Sequence, residues 1–332
     1  MKARNPRHGS MGVWPRKRAK RQYSRVSSKA KNIKESKPLG FAGYKVGMTH
    51  VTFTDNRKAS TTKGETISCP VTIIECPPLK ICGVRFYKNK HNGLQPAKEL
   101  AFPIDKDLLR KIPKRKKTSE KEIDSINADE YDDMTLIVYT QPKLTGLGKK
   151  KPELFEMSMG GNNADKITFV KDHLNKEIHV DEILQPGQQV DIHAVTKGKG
   201  YQGPVKRFGI GLKSHKSEKS RRAPGSLGGW TCQQHVMYRV AHAGQTGCHN
   251  RTDYNKWILS LDKDVSKINP DSGFRKYGVI KNPYIVLKGS ILGPAKRMIR
   301  LNLATRPSKR IPNQAPEIKS INFNLKSAKT EA

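Results

Sequence analysis

The net charge of this chain is the sequence feature that most limits how it can fold. Its 332 residues contain 64 Lys and Arg but only 29 Asp and Glu, which gives a formal net charge of +35. So many like charges repel one another in a compact state unless a polyanion neutralises them, and the abundant cellular polyanions are nucleic acids and anionic membrane surfaces. The composition therefore predicts a polyanionic partner.

The apolar residues and the cysteines narrow the class of protein. The sequence contains no apolar run of about eighteen residues, and no apolar stretch follows the charged N-terminus, so we predict neither a membrane span nor a signal peptide. The five cysteines form an odd set without a Cys-x-x-Cys pair, which argues against a disulfide framework and against a structural zinc site. We expect an intracellular, soluble protein without a cofactor or a metal.

The N-terminal segment is basic and poor in apolar residues. Residues 1–37 contain thirteen Lys and Arg and one acid, Glu35. Such a segment cannot fold alone, and it is interpreted either as a solvated tail or as an arm that becomes ordered against phosphates. The residues that favour the arm are Trp14, Arg16, Lys17, Arg18, Lys20 and Arg21.

Short apolar and β-branched runs, broken by Gly, Asn and Pro, begin at Leu39 and are typical of strands. Because several of them are separated by turn residues, we expect a small antiparallel barrel. The runs cover residues 41–53, 66–75, 81–87, 136–140, 189–196, 278–288 and 296–303.

The segments between the predicted strands of residues 81–87 and 189–196 include stretches with a different composition. Residues 98–117 indicate helical or irregular structure, and residues 120–133 contain seven acids and one lysine. Residues 163–175 fit an amphipathic helix, in which Asp165 would cap the first turn and the apolar residues would share one face. A second lobe that is less suited to a nucleic acid is predicted here.

Residues 197–229 are again basic, with nine Lys and Arg, one acid and eight glycines. A loop of this length is normally functional or disordered, and this composition favours an extension that threads into a folded polyanion. Its glycines match neither the phosphate loop, because no Ser or Thr follows a Gly-Lys in register, nor the dinucleotide fingerprint. We interpret glycine next to lysine as a contact with an RNA backbone. The cations concerned are Lys197, Lys199, Lys206, Arg207, Lys213, Arg221 and Arg222.

Trp230 follows two glycines that let the backbone bend and approach a partner closely. Its indole could stack on a base or wedge into RNA, and an ordinary core tryptophan is the alternative. The residues after it form a polar cluster of amides, histidines and charges, which suits hydrogen bonds to base edges, 2′-hydroxyls and phosphates. The cluster contains His242, Gln245, His249, Asn250, Arg251, Asp253 and Lys256.

The same polar cluster permits a second interpretation. His249 and Asp253 could act as a general acid–base pair, as in a nuclease, which would make the chain an RNA-processing enzyme. No metal-ligand spacing accompanies the pair. Both interpretations stay open from the residues alone.

Taken together, these runs resemble the universal ribosomal protein family numbered three of the large subunit, in its archaeal and eukaryotic form. RNPRHGSMGVWPRKRAKR at residues 4–21 is similar to the family's N-terminal arm, and LGFAGYKVGMTHV at residues 39–51 to its first pair of barrel strands. Further similar runs are VTKGKGYQGPVKRFG at 195–209, the run from GSLGGW to Asn255 and Lys256, and GSILGPAKRMIRL at 289–301. The resemblance spans roughly residues 4–307.

The resemblance implies a mainly β fold with an α+β insertion. The core would be a translation-protein-type β-barrel with an extended basic N-terminal arm and a long central loop. The implied segments are a basic extension at 1–38, the first part of the barrel at 39–90, an inserted α/β lobe at 91–188, a barrel strand at 189–200, a central loop with an RNA-contacting tip at 201–257, the final barrel strands at 258–306 and a tail at 307–332.

The resemblance also implies a function. The chain would be a structural constituent of the large ribosomal subunit in the cytoplasm, bound to large-subunit ribosomal RNA and to neighbouring ribosomal proteins, without a small-molecule substrate. It would support subunit assembly, and Trp230 at the loop tip would approach the peptidyl-transferase centre without catalysing a reaction. By resemblance, further RNA-binding residues are Arg4, Arg7, His8, Lys296 and Arg297.

The sequence departs from the family pattern at three places. Thr231 and Cys232 stand where the family usually has His-Pro or Asn-Pro, and Cys248 stands where an aromatic residue is usual. The chain also lacks the extra C-terminal length that is typical of eukaryotic forms. An archaeal source is therefore expected.

Replacing Trp230 with Ala tests the role of the loop tip. We expect the variant to fold almost normally but to impair translation or late subunit maturation, because the indole would contact RNA rather than a protein core. Thermal unfolding of the purified variant and polysome profiles of cells that carry it measure the two effects. A marked loss of barrel stability would instead identify Trp230 as a core residue.

Overall fold

The structure is a computed structural model that describes residues 9–26, 33, 35–103, 105–113, 123, 126–174, 176–227, 236 and 238–322. As the sequence predicts, the chain is mainly β, with few and short helices. Within these ranges, no helix is both long enough and apolar enough to cross a membrane.

The described residues contain fourteen strands. In chain order they are β1 (Gly40–Thr54), β2 (Thr66–Glu75), β3 (Leu79–Lys90), β4 (Gly93–Ala101), β5 (Asp133–Thr140), β6 (Leu154–Ser158), β7 (Glu177–Ile178), β8 (Gln189–Val195), β9 (Gly200–Gln202), β10 (Gly244–Thr246), β11 (Asn250–Asp262), β12 (Tyr284–Lys288), β13 (Met298–Leu303) and β14 (Ile318–Asn322).

Helices are few in the same ranges. The α-helices that lie wholly within them are α1 (Asn163–Asp172) and α2 (Pro204–Phe208). Single 3-10 turns cover Leu108–Arg110, Ala128–Glu130, Pro142–Leu144, Val180–Glu182 and Val265–Lys267.

Six strands pair in a closed ring. The order along the sheet is β13-β8-β11-β12-β2-β1, and β1 also pairs with β13, so the path returns to its start. Closure depends on the length of β1, which has 15 residues. Its first residues pair with β13 and its last with β14, while β2 runs antiparallel along its other side.

Two glycines allow β1 to approach its neighbours this closely. A Cβ atom at Gly40 would overlap the carbonyl oxygen of Leu301 on β13, and one at Gly43 would overlap Ile74 and Glu75 at the end of β2. Glycine within a strand commonly marks such a close approach of another backbone. The two glycines of the GFAG run therefore permit the pairing that closes the ring.

Among the described residues, Trp257 on β11 is the largest fully buried side chain. Its Nε1 donates a hydrogen bond to the carbonyl oxygen of Gly187 at 3.0 Å, and its ring meets Phe53 of β1 edge-on, with centroids 6.2 Å apart. The ammonium of Lys288 lies 5.5 and 5.6 Å from the centroids of Phe53 and Trp257, and burial lowers its pKa. Truncating an aromatic side chain in such a core typically costs about 3–5 kcal/mol.

A second sheet of five strands has the order β4-β3-β5-β6, and β7 pairs with β3. The resemblance placed all of residues 39–90 in the barrel, but β3 pairs with β4 and β5 in this second sheet. The chain therefore leaves the ring at the end of β2, after Glu75, and Pro77 and Pro78 lie in the connection to β3. The assignment of residues 98–117 as helical or irregular also needs correction, because β4 stays extended to Ala101.

The ends of two predicted elements differ from the structure. The helix predicted at residues 163–175 forms as α1 but ends at Asp172, and Asn162 rather than Asp165 is its N-cap residue. The stretch assigned to a C-terminal tail contains β14, which pairs with β1 from Phe53 back to His50. The first difference concerns a helix boundary. The second is an additional strand, which forms because β1 offers a free edge to pair with.

The chain divides into two compact units. One consists of residues 1–22 and 195–251, which we call the basic unit. The other consists of residues 23–194 and 252–332, which we call the strand unit. The strand unit contains the second sheet and most of the residues of the ring.

The connection between β1 and β2 is held by one buried carboxylate. Oδ1 of Asp55 accepts hydrogen bonds from Nε and the backbone N–H of Arg57 at 2.9 and 3.1 Å, and Oδ2 accepts from Nη2 of Arg57 and from Thr62 at 2.8 Å each. The Asp55 side chain is fully buried. The hydrogen bonds from Arg57 hold the pKa of the Asp55 carboxyl well below its usual range.

Asp55→Asn should lower the free energy of unfolding by roughly 1–3 kcal/mol at pH 7, because it removes a charged acceptor from this network. The native pKa of Asp55 lies below the unfolded value near 3.9, so the wild-type advantage exists above about pH 4 and fades as the pH falls further. Urea unfolding at pH 7 and pH 3 measures both effects. Asp129→Asn, at an exposed position, is the matched control, and equal unfolding energies for the two variants would contradict the anchoring role.

Candidate nucleic-acid interface

The basic unit holds a disproportionate share of the positive charge. It contains nineteen Lys and Arg and one acid, Glu218, in 79 residues, whereas the strand unit contains 45 basic and 28 acidic residues in 253. The basic unit thus contributes +18 of the net charge of +35 from less than a quarter of the chain. A surface of one sign attracts a polyanion strongly.

A small aromatic cluster organises the basic unit. The ring of Trp14 in the arm lies 6.0 Å from that of Phe208 and 5.9 Å, edge-on, from that of Tyr238. Phe208, at the end of α2, is buried. The arm residues around Trp14 therefore pack against the chain's own central loop. The sequence did not single out Phe208 or Tyr238, because an isolated aromatic residue in a glycine-rich stretch carries no periodic signal.

Two arginines of the predicted RNA-binding set stabilise this cluster. The guanidinium of Arg16 lies 4.3 Å from the centroid of Phe208 and donates to the carbonyl oxygen of Arg207 at 3.0 Å. Arg207 in turn donates from Nε to Gln245 O at 3.1 Å and from Nη1 to His242 O at 2.9 Å. Both guanidinium groups are half-buried and bind backbone carbonyls. Within the described residues they act as positioning groups.

The arm and the loop are joined along a short seam. The backbone N–H of Ala19 donates to Cys248 O at 2.7 Å, and the ring Nδ1 of His249 lies 2.7 Å from Lys17 O. Because a carbonyl oxygen only accepts, Nδ1 of His249 carries the proton in this contact. His249 is 7% exposed, and its backbone N–H bonds to Thr196. His249 therefore ties the arm to the loop.

These contacts bear on the enzyme hypothesis. The imidazole of His249 is buried and bound to a backbone carbonyl, whereas Asp253 forms an ion pair with Lys256 at 3.0 Å. A general base needs access to a substrate proton. Each of the two groups is engaged with another partner, so the structure does not support them as an acid–base pair. Among the described residues, no cluster of His, Cys, Asp and Glu could hold a metal ion.

The remaining predicted site residues fall into three sets. Exposed side chains are those of Lys17, Arg18, Lys20, Arg21, Lys197, Lys199, Lys206, Lys213, Arg221, Arg222 and Lys296. Half-buried are those of Trp14, Arg16, Arg207, His242, Gln245, Arg251, Lys256 and Arg297. Outside the described residues lie Arg4, Arg7, His8 and Trp230.

A buried lysine in the strand unit positions a separate basic loop, which carries Lys296 and Arg297 between β12 and β13. The ammonium of Lys45, on β1, donates to the carbonyl oxygens of Ile291 and Gly293 at 2.6 and 3.0 Å. The backbone N–H of Lys296 donates to Lys45 O at 2.8 Å. Burial lowers the pKa of Lys45. This lysine therefore fixes the loop from inside, while Lys296 is exposed.

Comparisons with a family model and with individual proteins point to the same family. A family model described as Ribosomal protein L3 matches residues 1–328. The large ribosomal subunit protein uL3 of Methanobrevibacter smithii is 42% identical over 327 residues, which cover 96% of each chain. That of Methanosphaera stadtmanae is 43% identical over 332 residues, 97% of each chain, and that of Methanocaldococcus jannaschii 40% over 331 residues, 98% of each chain.

Arg207→Lys tests whether the guanidinium organises the basic unit. The variant keeps the charge but loses the planar fork that serves two carbonyls, so we expect the amide hydrogen of Ala19 to exchange at least about tenfold faster. Hydrogen exchange with mass or NMR detection measures this. Lys206→Arg, at the exposed neighbouring position, is the matched control and should leave the exchange unchanged. Unchanged exchange in Arg207→Lys would show that the arm is held by other contacts.

Proposed function

The chain belongs to the ribosomal protein L3 family, and on that premise we propose that it is a structural constituent of the large ribosomal subunit. It binds large-subunit ribosomal RNA and neighbouring ribosomal proteins within the ribosome, supports subunit assembly, and does not catalyse a reaction. The observation that carries this proposal is the concentration of nineteen basic residues against one acid in the basic unit.

Phosphate contacts account for the physical basis of binding. Lysine and arginine side chains that neutralise phosphates release condensed counterions, which supplies most of the affinity and makes it depend on salt. The exposed cations of the arm and of the loop belong to one compact unit, so they reach an RNA surface together. Such a unit can tie distant RNA segments to one another during assembly.

The finer architecture is part of the proposal. The closed ring of six strands supports a β-barrel of the translation-protein type, and the five-stranded sheet with α1 supports an inserted α/β lobe. In this arrangement the central loop and the N-terminal arm extend toward RNA, and Lys45 holds the loop of Lys296 and Arg297 in a fixed position.

The tip of the central loop belongs to the proposal as well. Trp230 would organise RNA near the peptidyl-transferase centre, and Arg4, Arg7 and His8 would extend the phosphate contacts of the arm. The support for these roles is their place in sequence: the three N-terminal residues precede the arm segment that contains Trp14, and Trp230 follows the basic loop.

The decisive test is sedimentation of the native protein in a low-salt sucrose gradient. We expect it to run with large subunits and to be released as salt rises, because each phosphate contact contributes about −0.7 to −0.9 to the slope of log K against log salt. Protein that ran free of large subunits at low salt would overturn the proposal.

Charge-matched variants localise the contacts. The triple variant Lys17→Ala, Arg18→Ala, Lys20→Ala should reduce the salt slope for purified ribosomal RNA by about 2 to 3, since it removes three cations of the basic unit. The triple variant Lys98→Ala, Lys106→Ala, Lys111→Ala removes the same charge from exposed positions of the strand unit and should change the slope less. Equal slopes for the two variants would contradict binding through the basic unit.

A further inference from the structure

One tyrosine of the basic unit is conspicuous for its exposure. Tyr201 lies in the middle of β9, opposite Gln245 of β10, and its side chain is 77% exposed. Among the described residues its ring has no stacking partner and its hydroxyl no hydrogen bond. A single exposed aromatic residue is common on protein surfaces and needs no explanation by itself. The residues around Tyr201 are what suggest a function for its ring.

The chain around Tyr201 is basic and lacks acids. Lys197 and Lys199 precede it and Lys206 follows it in α2, and all three side chains are exposed. The acid of the basic unit, Glu218, lies farther along the loop. A protein partner would be expected to meet an apolar patch with a polar rim, whereas a ring among lysines suits a nucleic acid.

Glycines close to Tyr201 in the sequence leave the backbone open. Gly203 has φ −68° and ψ 166°, which any residue can adopt, and a Cβ atom there would meet no atom within 4 Å. A Cβ atom at Gly198 would make an ordinary contact of 3.6 Å with Cys248. Neither the conformation nor the packing of the described chain requires glycine at these two positions. What an absent side chain does provide is room for an external group to approach the backbone.

We propose that Tyr201 is a stacking platform for an unpaired base of the ribosomal RNA, with the adjoining ribose and phosphate lying against the open backbone at Gly203. Every base has a π-face, and single-stranded RNA is bound by stacking on aromatic side chains next to cations that track the phosphates. Lys197, Lys199 and Lys206 supply those cations. This assignment rests on the proposed function and adds a contact to it that is not ionic.

The test measures binding of purified large-subunit ribosomal RNA at several salt concentrations. Tyr201→Ala should weaken binding roughly 5- to 100-fold, which corresponds to the loss of one stacked base. The salt slope should stay unchanged, because the ring carries no charge. Tyr201→Phe keeps the ring and should bind within about twofold of wild type. Leu94→Ala, which removes an exposed apolar side chain of β4 in the strand unit, is the control and should also bind within about twofold.

Gly203→Ala separates a role in binding from a role in folding. The free protein should unfold close to the wild-type temperature, because the added methyl group meets no atom and the backbone conformation suits alanine, with only a small loss from placing alanine at the N-cap of α2. Binding of the RNA should nevertheless weaken about fivefold or more, because the methyl group would occupy the space of the approaching ribose and phosphate. Unchanged affinity would overturn the close approach at Gly203.

The outcomes distinguish this inference from the proposed function. If Tyr201→Ala binds as wild type does while Lys199→Ala shows a smaller salt slope, RNA is bound through charge and the stacking role is overturned. If Tyr201→Phe loses as much affinity as Tyr201→Ala, the hydroxyl and not the ring makes the contact, and stacking is again overturned. If the wild-type protein binds no ribosomal RNA, the proposed function fails and this inference fails with it.

Discussion

Repulsion within the basic unit is the constraint on which the rest of this structure depends. Nineteen cations and one acid must share 79 residues, and few apolar residues are available to hold them together. The chain meets this constraint by using part of its charge internally. Arg16 and Arg207 direct their guanidinium groups at backbone carbonyls and at the face of Phe208, which satisfies polar groups and packs an aromatic ring at the same time.

The same arrangement explains why the arm and the loop belong to one unit. Neither segment has enough apolar surface to fold alone, but the half-buried Trp14 of the arm packs near the buried Phe208 of the loop and meets the exposed Tyr238 edge-on. The carbonyl of Lys17 and the amide of Ala19 are then satisfied by His249 and Cys248. Backbone groups of the arm that would otherwise need water or RNA find partners within the chain, so the exposed lysines project from an ordered backbone.

The strand unit is organised differently, around one long strand. β1 pairs on both sides and reaches β13, β2 and β14, so a single strand connects much of the ring. Lys45 on that strand also secures the basic loop after β12 through two carbonyls. The same strand, β1, therefore holds both the exposed basic loop after β12 and the core of the ring.

The sequence by itself determined the class of partner, the mainly β character and the basic segments, because net charge, β-branched runs and glycine-rich loops are local properties that need no knowledge of contacts. It could not assign β3 to the second sheet or pair β14 with β1, since strand partners are chosen by hydrogen bonds between segments far apart in the chain. It also grouped Arg16, Arg207 and His249 with the RNA-binding residues. Only the tertiary structure distinguished them from the exposed cations, because a guanidinium or an imidazole bonds to whichever acceptor the fold brings within about 3 Å, and that acceptor is a backbone carbonyl from a distant part of the sequence.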